Sequence, residues 1–348
     1  MKLVPAAEIP SDLLSAFLGR SFGDVKAQFL AEHGTWWHRG EENRWVLTED
    51  DRVAGYCGVI PTRCAVAGEA RPALWWMDLV IAPEFRGRGL QTRFDELVKR
   101  RNALLLGFPN ALAARIHRRH GWGVREDLRS LLLPLAPRRL RVVRRASGGR
   151  GWLARAAALA AEPWAALWRG RLRRARTRTA RLLEPCFDEL AAVAAPARDL
   201  RTVTTWRDAD YLAWRYGEAP YRSRLLFYGA GGADRPKCVL VARRLGSGTG
   251  LVERWLDLFG DLEDRAHLDD LLGLAAREAA EAGVAQVTAL ASRASLVTSL
   301  RHRGFWMGTR ARLCWLHDDR ETMRTLAASP GHWCLGDSDN DEPGSDGP

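Results

Sequence analysis

The chain has 348 residues, 47% hydrophobic and 27% charged, with a net charge of +11. That mix suits a folded chain with a sizeable core, long enough for two ordinary domains. It argues against a helical membrane protein: no stretch reaches the roughly 18 unbroken apolar residues of a span, and the nearest, 156–168, is interrupted by Glu162 and Pro163. The opening MKLVPAAEIPSDLL lacks a basic stretch followed by an apolar core, so no signal peptide and a cytoplasmic location are expected. Cys57, Cys64, Cys186, Cys238, Cys314 and Cys334 show no CxxC spacing and no His cluster accompanies them. Reduced thiols are therefore expected, with no metal site and no disulfide framework.

Residues 45–49 and 53–61 read as strands around a turn at Asp50-Asp51, and 63–67 as another. LWWMDLVIA, 74–82, is a longer apolar strand with Trp76, Asp78 and Val80 on one face. The turn Arg86-Gly87-Arg88-Gly89-Leu90-Gln91 follows, and then a helix from 90 to 101 with Phe94, Leu97 and Val98 on one stripe. A strand at 104–108 leads to Asn110, which caps a helix over 111–120 that ends at Gly121. Glycines at such a turn bend the backbone and leave room against it. The first amides of the helix have no internal partner and lie at the positive end of its dipole. The turn is thus suited to cradle a diphosphate.

Residues 138–182 hold fourteen arginines and one acid, Glu162, a charge of +13 that leaves −2 for the rest of the chain. With Trp152, Trp164 and Trp168 the segment reads as a helical connector, 137–185, turning near Ser147-Gly148-Gly149. Two readings stand side by side. Arginine with interleaved tryptophan can meet an anionic ligand, polymer or membrane surface. Alternatively, the helices are solvated and their tryptophans pack on a neighbour. There is no strong case for nucleic acid.

After Pro185 the order repeats in outline: strands at 225–230, 237–245 and 251–261, a helix over 265–282, a strand at 285–291, a helix over 295–306 ending in Gly-Phe, and a strand at 310–317 closing the sheet. The stretch GDSDNDEPGSDGP reads as an acidic disordered tail from about Asp339.

"VIAPEFRGRGLQTRF" resembles the acetyl-CoA-binding motif of the GCN5-related N-acetyltransferases (GNAT), with Arg86 and Gly89 at motif positions and Gln91 where Gly or Ala is usual. "NALAARIHRRHGW" is similar to the family's later Asn-started helix, with His117 at the place of the usual Tyr and Trp122 replacing Phe. The resemblance covers about residues 1–135. It implies an α/β (α+β) fold of two tandem acyl-CoA N-acyltransferase-like domains, each a mixed, mostly antiparallel sheet flanked by helices: 1–136 binding acetyl-CoA, and 186–335 a degenerate copy, with 336–348 as tail. The second copy has DLFGDLEDRAHL where the cradle belongs and Leu300 at the Tyr position. "DADYLAWRYGEAPYR" and "HWCLGDSDND" resemble blocks of bacterial tandem-domain relatives, and Trp214, Arg215 and Tyr216 are expected either to line a cleft or to pack on the connector.

The activity implied is transfer of an acetyl group from acetyl-CoA to the primary amine of a small molecule, an amino sugar being one candidate, by direct attack and without a metal. Arg86, Gly87, Arg88, Gly89, Leu90, Gln91 and Asn110 would hold the coenzyme. Val80 or Ile81 would offer a backbone amide to the thioester carbonyl. His117 would act as acid toward the leaving thiol, or be only a helix residue among arginines; Asp78 would act as base, or be only an ion-paired carboxylate. An aminoacyl- or peptidoglycan-type transferase also pairs two such domains but usually lacks the RGxG cradle. A non-catalytic module binding acetyl-CoA or an anionic polymer is the remaining alternative.

Overall fold

The computed structural model describes residues 1–140, 151–198, 202–232, 235–246, 250–329 and 331–337. The turn expected near 147–149 and the tail from 339 lie outside them. Among the described residues the strands join one fourteen-stranded sheet, mostly antiparallel, with helices packed on it.

The first half begins with β1 (Lys2–Pro5), α1 (Ser11–Phe22) and α2 (Asp24–Trp37). Strands β2 (Arg44–Glu49), β3 (Arg52–Val66) and β4 (Glu69–Ile81) follow. The strands expected at 53–61 and 63–67 are one strand, β3, because Pro61 pairs with Leu74 without breaking the ladder. Next come α3 (Gln91–Lys99), β5 (Leu104–Gly107), α4 (Ala111–Arg119) and β6 (Gly123–Pro134). The connector is α5 (Gly151–Arg174). The second half holds β7 (Ala180–Leu183), α6 (Phe187–Ala194), β8 (Val203–Thr205) and α7 (Ala209–Leu212), which runs into a π-turn at Ala213–Gly217. It continues with β9 (Leu225–Gly231), β10 (Pro236–Leu245), β11 (Val252–Gly260), α8 (Arg265–Glu281) and β12 (Gln286–Ala291). Last are α9 (Ala294–His302), β13 (Trp306–Leu316), α10 (Arg320–Ala328) and β14 (Gly331–His332).

The main path of the sheet is β1-β2-β3-β4-β5-β13-β6-β12-β11-β10-β9-β7. Its centre mirrors itself. β4 and β5 are parallel, as are β11 and β12; β13 runs antiparallel to β5, and β6 to β12. The strand after α4 therefore completes the sheet of the second half, and the strand after α9 completes that of the first. β13 was expected to close the second half's own sheet; it lies instead between β5 and β6. Its side chains settle the matter energetically: Leu313, Cys314 and Trp315 join the core around Val46 and Leu74, while Leu131 and Leu133 of β6 join the core around Leu240 and Leu271.

A second mark of this pseudo-two-fold relation lies at the seam. The Trp36 ring N–H donates to the Trp214 carbonyl at 3.1 Å, and the Trp214 ring N–H donates to the Trp36 carbonyl at 2.9 Å. Trp214, Arg215 and Tyr216 thus neither line a cleft nor pack on the connector. Arg215 lies over Trp37 and donates to the Gly336 carbonyl and the Tyr221 hydroxyl. Tyr216 donates to Asp257 at 3.0 Å. All three are buried.

Candidate active site

The strands β4 and β5 pair only over Ala73–Trp75 and Leu104–Leu106. Beyond Trp75 they part, and the last six residues of β4 border a gap. Opposite them on β3 the register slips: Gly58 faces Met77 but Tyr56 faces Val80, so Asp78 and Leu79 together oppose Cys57. Asp78 sits in this bulge with φ +54°, a backbone state that costs a non-glycine residue free energy and that bulges use to re-aim a strand. The Ala82 N–H donates to the Ala54 carbonyl. Alternation in an antiparallel ladder then turns Val80 toward β3 and leaves the Ile81 N–H facing the gap.

The turn after β4 is pinned by two buried side chains, Phe85 and Leu90, and exposes Arg86, Gly87, Arg88 and Gly89 between them. Gly87 and Gly89 have φ +79° and +69°, and a Cβ added at either would meet nothing within 4 Å. The backbone therefore faces open space where a ligand can lie against it. Among the described residues, none of the amides from Gly87 to Gln91 bonds to another backbone group, and no side chain caps α3. The Arg86 guanidinium donates to the Ile81 carbonyl at 3.0 Å, bracing the turn against the end of β4. Arg88 stacks over Phe85 and reaches Glu49 at 3.3 Å. Open amides, a helix N-terminus and two arginines fit a diphosphate.

Asp78 was expected either as a base, directly or through water, or as an ion-paired carboxylate, and it is closely partnered. Its side chain is fully buried, paired with the Lys26 ammonium and 3.4 Å from the His38 Nε2, both on or just after α2. Burial alone would raise its pKa, but Lys26 and His38 outweigh that and hold it far below the usual carboxylate range. His38 in turn donates through Nδ1 to the Val59 carbonyl at 3.2 Å, and Arg44 donates to the Tyr56 hydroxyl beside it at 3.1 Å. Sequence reasoning missed Lys26 and His38. Their only signal was a lone Lys and a lone His near an N-terminal helix whose apolar spacing is weak.

His117, on α4, lies 4.5 Å from Trp122 and 5.9 Å from Trp76 by ring centroids, which brings it to the gap side of β4. Burial, with His120 nearby, pulls its pKa down to about 4, so the ring is neutral at pH 7; its Nδ1 has no partner among the described residues. Asn110 caps α4, its side-chain oxygen accepting from the Ala113 N–H at 2.9 Å.

The second half repeats the frame without the cradle. β11 and β12 also part after Trp255. Yet only four residues, 261–264, separate β11 from α8, where nine separate β4 from α3. Asp264 accepts from the His267 N–H, and Asp261 accepts from the amides of Glu263 and Asp264. Three amides at the entry to α8 are thus met by carboxylates of the chain itself. The segment 331–337 fills the gap: His332 donates to the Leu258 carbonyl at 2.5 Å, and Gly336 lies against the Leu256 carbonyl.

Residues 11–125 match the family model described as an acetyltransferase (GNAT) domain. A GNAT domain thus accounts for the first third of the chain. Among solved structures, the whole fold resembles a GCN5-related N-acetyltransferase from Anabaena variabilis at 16% identity and TM-score 0.58, covering 90% of this chain and 72% of that one. A probable N-acyltransferase of Enterococcus faecalis gives 10%, 0.59, 92% and 73%. Saccharomyces cerevisiae N-myristoyltransferase with bound myristoyl-CoA and inhibitors gives 14%, 0.61, 95% and 82%. No curated protein matches the sequence. The GNAT domain ends just inside β6, so the match covers the parting strands, the cradle and α4. Among the described residues no group of His, Cys, Asp or Glu could hold a metal ion, and no helix is long and apolar enough to cross a membrane.

Proposed function

We propose that the chain is an acyl-CoA-dependent N-acyltransferase with one coenzyme site, at the junction of β4 and α3, that acetylates a primary amine of a small molecule, an amino sugar being the first candidate. The observation that carries this reading is the open turn at Gly87 and Gly89 in front of an uncapped helix N-terminus, set beside the parting strands. When bound, acetyl-CoA supplies a thioester carbonyl for direct attack by the amine. The amides of Gly87 to Gln91 hold its diphosphate, and Arg86 and Arg88 add positive charge. The Ile81 N–H is the donor for the carbonyl oxygen, with Val80 turned to the neighbouring strand. Asn110 fixes the start of α4 and so the position of His117, whose neutral ring offers a hydrogen bond to the sulfur. Asp78 is a positioning residue: its ion pairs hold the bulge that presents Ile81. The carboxylates that accept from the amides of Glu263, Asp264 and His267, and the filled gap, support a second half that binds no coenzyme.

Titration calorimetry with acetyl-CoA tests the proposal. The Gly89→Trp variant should weaken binding by about 100-fold, roughly 2.7 kcal/mol, and abolish release of CoA thiol in a panel of amino sugars, polyamines and aminoglycosides. Absence of heat with the unmodified chain would overturn the reading. A non-catalytic coenzyme-binding module is the second reading, favoured by the sealed Asp78 and the neutral His117; heat without thiol release from any amine would assign the chain to it.

A further inference from the structure

Helix α5 turns only a narrow face inward. Ala158, Ala165 and Leu172, seven residues apart, are buried on it. On the other side Trp152, Leu153, Leu159 and Leu167 are exposed by 65, 50, 51 and 53%. Trp306 and Met307, at the start of β13, extend the patch with 41 and 47% exposure, and the Trp306 ring lies 4.8 Å from that of Trp164 on α5. Six of the nine exposed large hydrophobic residues described in the chain therefore gather at this one helix and its neighbour. Exposed apolar side chains gathered in one region mark an interaction surface more than singly scattered ones do.

Charge says what the surface meets. Arg155, Arg171, Arg173, Arg174 and Arg176 are exposed on α5 and just beyond it. The one acid of the helix, Glu162, is 3.3 Å from Arg169. A second copy of the chain would set these arginines against each other. A bilayer with anionic headgroups accepts both features at once, since the apolar face enters the headgroup boundary and the arginines meet lipid phosphates. The helix lacks the apolar length to cross, so it lies along the surface.

We propose that α5, with Trp306 and Met307, docks the protein on an anionic membrane surface through its Trp152–Leu167 face and flanking arginines. Full-length protein should sediment with vesicles of phosphatidylcholine containing about a third phosphatidylglycerol, and not with phosphatidylcholine alone. Binding should fall by about tenfold or more between low and high salt. Two variants, Leu159→Ser with Leu167→Ser, and Arg171→Gln with Arg173→Gln and Arg174→Gln, should each weaken it by about tenfold while thermal melting shows both folded. The proposal is overturned if the anionic vesicles leave the protein in solution. It is also overturned if the leucine variant binds them unchanged, which would mean headgroup charge alone. A dimer in light scattering that the leucine variant abolishes, without vesicle binding, would hand the face to a second copy instead.

Discussion

At Asp78 a left-handed backbone and a sealed ion pair coincide. The bulge is held because Lys26 and His38 give the buried carboxylate a reason to point inward; without them, both the charge and the positive φ would be unfavourable. Asp78→Asn should therefore cost about 3–5 kcal/mol in urea unfolding, and Lys26→Met in the same chain should restore part of it. A loss below about 1 kcal/mol would show that the pair does not hold the bulge. Two buried histidines give a pH signature. His117 is held down to about 4 by burial and His120; His332 is held down to about 4 by burial and by Arg207 and Arg293. In the unfolded chain both titrate near 6.5. As pH falls below 6.5 the unfolded chain takes up protons that the folded chain refuses, so stability is lost between about pH 6.5 and 4, by roughly 1–3 kcal/mol for each residue. Melting temperatures measured from pH 7 to 4.5 should fall, and His332→Gln should flatten the curve; a flat curve in the unmodified protein refutes the assignment. The cradle residues were legible in the sequence because their chemistry is local: glycines at a turn, arginines beside them, a helix start after them. The partners of Asp78 were not, because Lys26 and His38 reach it across 52 and 40 residues of chain, and no pattern near residue 78 announces them.

Among elements, α3 and α8 start alike and end up opposite in character. α3 follows a nine-residue turn whose amides from Gly87 onward make no backbone bond; α8 follows a four-residue turn whose aspartates accept from the amides of Glu263, Asp264 and His267. The acidic DLED was read as unsuited to a phosphate; in the structure Asp261 and Asp264 accept from nearby amides, Asp264 as the cap of α8. Strands β9 to β12 were read within a residue or two of their bounds, since alternation and apolar runs specify a strand well. What period two cannot specify is the neighbour. Nothing in GVREDLRSLLLP says that Leu131 and Leu133 belong to the core of the other half, and β6 was not foreseen as a strand at all. α1 and α2 went unread for a related reason: the apolar pattern of α2 is interrupted by His33, Gly34 and Thr35, and the helix is held by the core it covers more than by its own spacing.

Over the whole molecule, the exchange of β6 and β13 removes any surface along which the halves could part. Each contributes an interior strand to the other, and the tryptophan pair at Trp36 and Trp214 closes the seam from the helical side. Calorimetry should accordingly record one unfolding transition, with the calorimetric and van't Hoff enthalpies equal; two resolved transitions would show that the halves are separable after all.

The same exchange sets an order of events at the ribosome. β5 emerges with a bare edge, and the strand that covers it is made about two hundred residues later. At roughly 5–20 residues per second, the nascent GNAT domain waits about 10–40 seconds with its sheet open. Throughout that interval the unfinished edge is a template for stray pairing until the far end of the chain arrives to cover it.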